Sequence, residues 1–137
     1  MNKKRWFWAS VVAIAVMLAM DFFFNNHCLK GLYQQTAHLW RPEAELMGMM
    51  MRYGWITYLV GGFVFAYIYA KGYEGKPSHV LEGVRFGFLM GLFSSVPMSI
   101  MTYITMPIPG RLSIDWLIIG MFELIVAGAV VGLIYRK

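Results

Sequence analysis

The sequence predicts an all-α fold, an integral membrane four-helix transmembrane bundle, and three observations support this prediction. Hydrophobic residues make up 59% of the 137 residues and charged residues only 14%, whereas a soluble domain carries roughly a quarter charged residues. The apolar residues form runs that are each near the ~20 residues needed to span hydrocarbon. The basic residues cluster at the ends of these runs. Because a chain of this length cannot bury this much apolar surface in its own core, we expect lipid to cover the rest.

The first apolar run covers about residues 6–24 and predicts a helix over about 6–26. Asn2-Lys3-Lys4-Arg5 precedes the run, as basic residues do in a signal peptide. The stretch Ala13-Ile14-Ala15, which could mimic a cleavage site, lies inside the run rather than after it. We therefore interpret the run as an uncleaved transmembrane helix.

The second apolar run covers about residues 46–70, and its helix is predicted over about 44–70. Pro42 suits a first helical turn, where its missing N–H group costs nothing. Glu43 and Glu45 then follow at positions that favour negative charge. We therefore expect the helix to begin near Pro42 and to protrude from the membrane, and the glycines and proline of residues 71–77 to end it.

The third and fourth apolar runs predict helices over about 84–106 and 114–135. Met106-Pro107-Ile108-Pro109-Gly110 closes the third run, and Arg136-Lys137 closes the fourth. A length of 137 residues is that of one domain. The prediction is therefore a single transmembrane domain over residues 1–137, with short loops and antiparallel neighbouring helices.

The distribution of basic residues predicts the orientation of the bundle. Eight basic residues lie at the two termini or between the second and third helices, and four lie on the other side. The eight are Lys3, Lys4, Arg5, Lys71, Lys76, Arg85, Arg136 and Lys137; the four are Lys30, Arg41, Arg52 and Arg111. Because lysine and arginine favour the cytoplasmic side, both termini are expected in the cytoplasm.

The only long connection follows the first helix. Apolar and small residues recur in it at helical spacing: Leu29, Leu32, Tyr33, Thr36, Ala37 and Trp40. This pattern indicates a short interfacial helix on the outer membrane surface. The alternative is an ordinary ordered loop.

Four short stretches carry a resemblance to a known group of proteins. They are Leu39-Trp40-Arg41-Pro42, Lys71-Gly72-Tyr73-Glu74-Gly75, Glu82-Gly83-Val84-Arg85-Phe86-Gly87 and Met106-Pro107-Ile108-Pro109. Together they resemble a group of short, functionally uncharacterised four-helix membrane proteins of bacteria, over most of the chain. The resemblance implies a location in the bacterial inner (cytoplasmic) membrane and carries no activity or site residue with it.

Small residues repeat every four positions along the third helix. The stripe consists of Gly83, Gly87, Gly91, Ser95 and Ser99, and Gly128 and Gly132 repeat the motif on the fourth helix. Such a stripe lets another helix backbone approach closely in lipid. Packing inside one four-helix bundle is the favoured interpretation, and a dimer seam is the alternative.

Asp21, Arg52 and Glu123 are the ionisable residues inside the apolar runs. A charge at the membrane centre costs roughly 2.5–3.5 kcal/mol on insertion scales, so each needs a partner, water or protonation. Asp21 and Arg52 lie at similar depth in the outer half, on helices joined by one loop. We therefore predict an ion pair between them. A functional site is the default interpretation of the three residues, and a buried structural pair is its competitor.

Glu123 lies near the centre of the fourth helix and is the strongest single candidate. Ser94, Ser95 and Ser99 lie at the matching depth on the third helix. Pro97, among them, should leave one backbone carbonyl without its helical donor and bend the helix. We expect Glu123 to point into the bundle and to bond to these serines or to the freed backbone. Two interpretations of this bend remain open. It forms a polar pocket or a hinge, or it is a tolerated kink in which nearby groups bond to the freed backbone groups.

No cofactor is predicted. His27 and His38 belong to the outer region and His79 to the cytoplasmic loop, so they do not form a haem site. Cys28 is the only cysteine, which excludes an internal disulfide or a cysteine zinc site.

Met47 and Met51 share a helix face, and thioethers bind Cu(I). Methionine is also an ordinary flexible residue of cores and lipid-facing surfaces. These two residues are therefore the weak candidates for a metal site, and no other metal site is predicted.

Three functions remain open, and none is that of an enzyme, since no nucleophile–base, phosphate-loop or metalloprotease motif is present. The leading expectation is a non-enzymatic accessory, assembly or scaffold subunit that acts through helix packing, within a homo-oligomer or a larger membrane complex. The alternative is a small oligomeric permeation protein for protons, ions or a small solute, supported by Glu123, Asp21, Arg52 and Pro97. A weaker alternative is binding of an apolar ligand such as a quinone or lipid. The bilayer is the expected environment, and the absence of a basic patch or motif argues against nucleic acid.

Overall fold

A computed structural model describes residues 1–136, and Lys137 lies outside the described residues. Four helical spans are long and apolar enough to cross a membrane: Lys3–His27, Glu43–Gly72, His79–Thr105 and Gly110–Ile134. The described part of the chain contains no strand. The protein is therefore an all-α, multi-pass membrane protein built on a four-helix bundle, as its composition predicted.

The helical elements follow one another with short connections. They are α1 (Lys3–His27), α2 (Lys30–Gln35), α3 (Glu43–Met49), α4 (Trp55–Gly72), α5 (His79–Thr105) and α6 (Gly110–Ile134). A 3-10 turn, Ala37–Leu39, follows α2. A π-helical segment, Met50–Gly54, joins α3 to α4, so that the two form one continuous span.

The helices extend beyond the apolar runs that predicted them. The first begins at Lys3, because the Asn2 side chain accepts a hydrogen bond from the backbone of the first turn. The third span begins at His79 rather than near residue 84, because Ser78 caps it in the same way. The apolar run marks the length that hydrocarbon covers, whereas capping side chains in the polar flanks determine where a helix begins.

The connection after α1 contains a short helix, α2, where helical spacing predicted one. Leu29, just before it, is buried against Ile108 and Leu112 at the start of α6. Trp40 and Trp116 pack on the same cluster. The apolar side of this connection is therefore in contact with the protein's own bundle.

Glycines allow α5 and α6 to approach backbone to backbone. A Cβ atom on Gly83 would lie 2.1 Å from the carbonyl oxygen of Gly128, and one on Gly87 would lie 2.1 Å from that of Leu124. Two further glycines of the motif are also close to the opposite helix: a Cβ atom on Gly132 would lie 2.3 Å from the carbonyl oxygen of His79, and one on Gly91 would lie 2.7 Å from the Met121 sulfur. The stripe is therefore occupied inside the bundle, which is the intramolecular arrangement of the two that the sequence left open.

Both termini lie at one end of the bundle, here called the basic end. The backbone amide of Asn2 donates a hydrogen bond to the Tyr135 hydroxyl at 3.4 Å. The Arg5 guanidinium donates one to the backbone carbonyl oxygen of Arg136 at 3.3 Å. The ring of Tyr73, in the α4–α5 connection, packs on Tyr135 at the same end. An even number of crossings follows. The opposite end, which carries α2 and the α5–α6 connection, is here called the loop end.

Glu82 organises the α4–α5 connection. Its carboxylate accepts hydrogen bonds from the backbone amides of Glu74, at 2.6 Å, and Lys76, at 3.2 Å. Gly75, between them, has φ of +72°, a conformation that favours glycine. Arg85, one helical turn after Glu82, forms no ion pair with it within residues 1–136. The two charges are therefore not a surface pair, because backbone amides already occupy the carboxylate.

Candidate functional site

Asp21 on α1 and Tyr58 on α4 are joined by a hydrogen bond inside the membrane span. The Tyr58 hydroxyl donates to Oδ2 of Asp21 at 2.5 Å. One turn further along α4, a Cβ atom on Gly62 would lie 2.2 Å from Cγ1 of Ile14, so α1 and α4 are closely packed there. The small residue at position 62 therefore brings Tyr58 within reach of Asp21.

Glu123 on α6 lies beside the same aspartate. Its carboxyl group is within hydrogen-bonding range of the Asp21 carboxyl group. Oε1 of Glu123 is buried and has no conventional donor among residues 1–136. A hydrogen bond between two carboxyl groups requires a proton on one of them, since two carboxylates offer only acceptors. Asp21, Tyr58 and Glu123, here called the acid cluster, therefore form a site in which a hydrogen bond between the two acids would require one proton.

The acid cluster lies between the middle of the bundle and its loop end. Glu123 is about 16 Å from the end of α6 at 1.5 Å per residue, which is near the middle of this 25-residue helix. Asp21 is about 27 Å from the start of α1 and about 9 Å from its end at the same rise. The two carboxyl groups meet because α1 and α6 pack side by side. No interface is within easy reach of the short Glu123 side chain.

No cation neutralises the acid cluster in the part of the chain that the structure describes. The predicted ion pair between Asp21 and Arg52 is not formed, and this prediction is wrong. Arg52 lies in the π-helical segment and is exposed. Tyr58, six positions further along the same span, faces α1 instead. The cause is geometric, because residues six positions apart on a helix point to different sides.

Glu123 does not bond to the serines of α5, contrary to expectation. Ser94 donates to the carbonyl oxygen of Met90 in its own helix. Oγ of Ser95 fills the space beside Gly120, 2.6 Å from where a Cβ atom would stand. The prediction failed because Glu123 faces α1 rather than α5.

Pro97 lies within α5, which continues as a helix to Thr105. Ser99, two positions after it, is buried, and its carbonyl oxygen accepts a hydrogen bond from the Ser113 hydroxyl at 2.9 Å. This bond links α5 to α6 on the loop-end side of the proline. Ser99 thus takes part in helix packing and is separate from the acid cluster.

Polar side chains continue from the acid cluster towards the loop end. The Tyr33 hydroxyl, on α2, accepts a hydrogen bond from Nε1 of Trp116 at 2.9 Å. Burial raises the pKa of Tyr33 above its ordinary value, the bond from Trp116 opposes this rise, and the charge of Asp21 adds to it. Tyr33 is therefore close enough to Asp21 for the charge of that side chain to affect the pKa of the Tyr33 hydroxyl group.

Towards the basic end, the acid cluster is followed by apolar packing. Ala13 of α1, Phe65 and Ala66 of α4, and Ala127 and Val131 of α6 are buried in one cluster. Small side chains bring these helices together, and the ring of Phe65 packs on that of Phe86 from α5. The site is thus flanked by an apolar layer on the basic-end side and, on the loop-end side, by the apolar cluster on which Tyr33 packs.

Met47 and Met51, the weak metal candidates, lie exposed on α3 and the π-helical segment. Residues 1–136 contain no group of three or more histidine, cysteine, aspartate or glutamate side chains that could hold a metal ion. The Met47–Met51 site therefore stays a prediction.

The residue that sequence reasoning missed is Tyr58. A tyrosine inside an apolar run is indistinguishable by pattern from an interfacial or core aromatic residue. The only available signal was its depth, which matches that of Asp21 when α1 and α4 are aligned as an antiparallel pair.

The fold and the acid cluster define a class, a four-helix multi-pass membrane protein with two acids in contact inside its bundle. No protein-family model matches the chain, and neither a curated protein nor a solved structure matches it significantly. A function has to be inferred from the residues of the site.

Proposed function

We propose that the chain is a small permeation protein that binds a proton at Asp21 and Glu123 and moves protons, alone or with a solute, across the membrane. The observation that supports it is the contact between these two carboxyl groups inside the span. Ionisable residues at this depth are costly and are functional by default. Among the described residues, no cation accompanies these two acids. Holding them together only for structure would cost free energy, whereas the same pair is suited to bind a proton.

The chemistry of the pair supports coupling between protonation and helix position. With one proton, the two carboxyl groups attract each other through a shared hydrogen bond. Without it, two negative charges in a medium of low dielectric repel each other. Because Asp21 is on α1 and Glu123 on α6, gain or loss of a proton changes the force between these helices.

The surroundings of the pair favour a carrier over an open pore. Towards the loop end, Tyr33 senses the charge of Asp21 but packs with Trp116 on the apolar cluster of Leu29, Ile108 and Leu112. Buried Ala13, Ala127 and Phe65 close the other side. A proton therefore enters or leaves the acid cluster only after one of these apolar layers has opened.

Proton flux into vesicles tests the proposal. Purified protein in liposomes that contain a pH-sensitive dye is exposed to a potassium-driven membrane potential. Glu123→Gln and Asp21→Asn should each reduce flux to the level of protein-free vesicles, because neither amide titrates. Asp115→Asn, on the same helix as Glu123 but outside the acid cluster, is the matched control and should leave flux unchanged. Wild-type flux equal to that of empty vesicles would refute the proposal.

Glu123→Leu separates a proton site from a structural link. Glutamine keeps the size of the side chain and its hydrogen-bonding capacity, whereas leucine keeps neither the acceptor nor the donor. A purely structural role requires that Gln is tolerated and Leu is not. For a proton carrier, both variants lose flux, and Glu123→Gln still elutes as a monodisperse protein with a near-wild-type melting temperature.

The second candidate function is an accessory or scaffold subunit, and the free face of α4 favours it. A Cβ atom on Gly61 would have no neighbour within 4 Å. Val64 and Ile68 on the same face are 49% and 42% exposed. Another membrane helix could pack on this face. Isolation in a mild detergent distinguishes the two functions, because a subunit co-purifies with a partner in fixed stoichiometry.

The proposed location is the bacterial inner membrane, with the basic end in the cytoplasm. The excess of basic residues at that end supports this orientation. Reporter fusions at the C-terminus and within residues 34–38 should then give opposite signals, cytoplasmic and external. A cytoplasmic signal from the second fusion would argue against this topology.

A further inference from the structure

A cavity of about 190 Å³ lies at the basic end, away from the acid cluster. The end of α4, the α4–α5 connection and the first turns of α5 enclose it. Its wall combines charged, aromatic and apolar side chains: Tyr69, Lys76, Glu82, Arg85, Phe86 and Leu89. A ligand that fits it must offer both a polar and an apolar part.

Arg85 is the cation of this cavity that forms no ion pair in the described part of the chain, although the Glu74 carboxylate, which also lines the cavity, senses its charge. The Lys76 ammonium forms an ion pair with Glu74, and this contact lowers the pKa of the Glu74 carboxyl group. The Glu82 carboxylate accepts two backbone amides. Arg85 is exposed and forms no ion pair within residues 1–136. Its planar guanidinium is suited to bind a phosphate with two parallel hydrogen bonds.

Tyr69 lines this cavity with its ring, and its hydroxyl group is buried. Only 2% of its surface is exposed, and no residue in the range 1–136 forms a hydrogen bond with its hydroxyl. A buried hydroxyl without a partner is costly. Less than 1 Å² of the hydroxyl oxygen is accessible, so a ligand in the adjoining cavity contacts the ring of Tyr69 and not its hydroxyl group.

An apolar groove of about 290 Å³ adjoins the cavity along α5. Arg85 and Leu89 line both, and the groove is otherwise lined by Val84, Phe88 and Ile125. A polar cavity and an apolar groove that share an arginine match the two parts of a phospholipid, its headgroup and an acyl chain.

The depth of Arg85 agrees with this match. The 27 residues of α5 extend about 40 Å at 1.5 Å per residue, compared with about 30 Å of hydrocarbon. Arg85 is about 9 Å from the start of the helix. It therefore lies near the boundary between hydrocarbon and headgroups, where lipid phosphates are found.

The geometry points to a phospholipid site at the basic end, in which Arg85 holds the phosphodiester of a glycerophospholipid from the adjoining leaflet. One acyl chain follows the groove past Leu89 and Phe88. The ring of Tyr69 forms part of the wall beside the headgroup. The site is separate from the acid cluster and does not depend on proton transport.

Native mass spectrometry of the detergent-solubilised protein, titrated with dioleoylphosphatidylglycerol, tests the site. We expect discrete adducts of one lipid. Arg85→Gln should weaken binding about tenfold, as for loss of a charge-assisted hydrogen bond. Tyr69→Phe keeps the ring that lines the cavity and should leave binding unchanged. Lys71→Gln removes the same charge from the same end, outside the cavity, and should leave binding unchanged.

Two ligand analogues separate the parts of the site. Dioleoylglycerol, which lacks the phosphate, and glycerol 3-phosphate, which lacks the acyl chains, should both bind much more weakly than the lipid. Equal binding of the diacylglycerol would show that only the groove is used, and equal binding of glycerol 3-phosphate would show a soluble ligand. Either result would overturn the inference, as would equal weakening by Lys71→Gln and Arg85→Gln.

Discussion

The hydroxyl group of Tyr58 on α4 donates a hydrogen bond to Oδ2 of Asp21 on α1, with 2.5 Å between the oxygens. This distance lies at the short end of the range for a hydroxyl group and a carboxylate. The bond fixes the Asp21 carboxyl group between α4 and α6, where it meets Glu123. An aromatic residue in an apolar run thus positions the acid on which the proposed function depends.

Tyr58→Phe removes this bond without changing the shape of the ring. It should lower the free energy of unfolding by about 1.5–3 kcal/mol, the range for hydrogen bonds to charged groups. Thermal unfolding in detergent measures the loss. Tyr53→Phe, five positions earlier on an exposed ring, is the control and should have almost no effect. Equal losses in both variants would show that the Asp21–Tyr58 bond contributes nothing.

Asp21 and Arg52 should behave as independent residues. Because they share no ion pair in the described part of the chain, the stability losses of Asp21→Asn and Arg52→Gln should add within about 0.5 kcal/mol in the double variant. A double-mutant cycle from thermal or denaturant unfolding provides the measurement. A large coupling energy would show that the two charges do pair in the membrane.

The α5–α6 seam should not tolerate a single methyl group. Gly87→Ala places its Cβ atom against the Leu124 carbonyl, and overpacking of this kind costs about 1–3 kcal/mol. The matched control is Gly61→Ala, whose Cβ atom has free space, and it should stabilise α4 by up to about 1 kcal/mol. Opposite shifts in melting temperature are therefore expected. A Gly87→Ala protein as stable as Gly61→Ala would mean that the two helices are not closely packed.

Glu82→Gln should loosen the α4–α5 connection. Glutamine offers one acceptor oxygen where the carboxylate offers two, so one backbone amide loses its partner, at about 1–3 kcal/mol. Hydrogen–deuterium exchange at the amides of Glu74 and Lys76 reports the change directly. Glu43→Gln, in the exposed first turn of α3, controls for loss of one negative charge. Unchanged protection in Glu82→Gln would contradict the assigned bonds.

The contrast between Glu123 and the glycine stripe shows how much could be predicted from the sequence. The periodicity of Gly83, Gly87 and Gly91 required a close helix neighbour, and α6 is that neighbour. The position of Glu123 indicated a polar contact inside the bundle, but its partner was predicted on α5 and lies on α1. Depth along a helix is readable from the chain, whereas the direction in which a side chain points depends on how the helices are packed.

The sequence by itself determined the class of the protein, the number of its membrane spans and the placement of both termini at one end. These properties follow from hydrophobic length and from the parity of the crossings, which do not depend on how helices are arranged. Only the tertiary structure decided that Asp21 contacts Tyr58 and Glu123 rather than Arg52. The physical reason is the rotational orientation of each helix about its own axis. Because Gly62 packs α4 against α1, only the side chains on the facing sides of these two helices can meet.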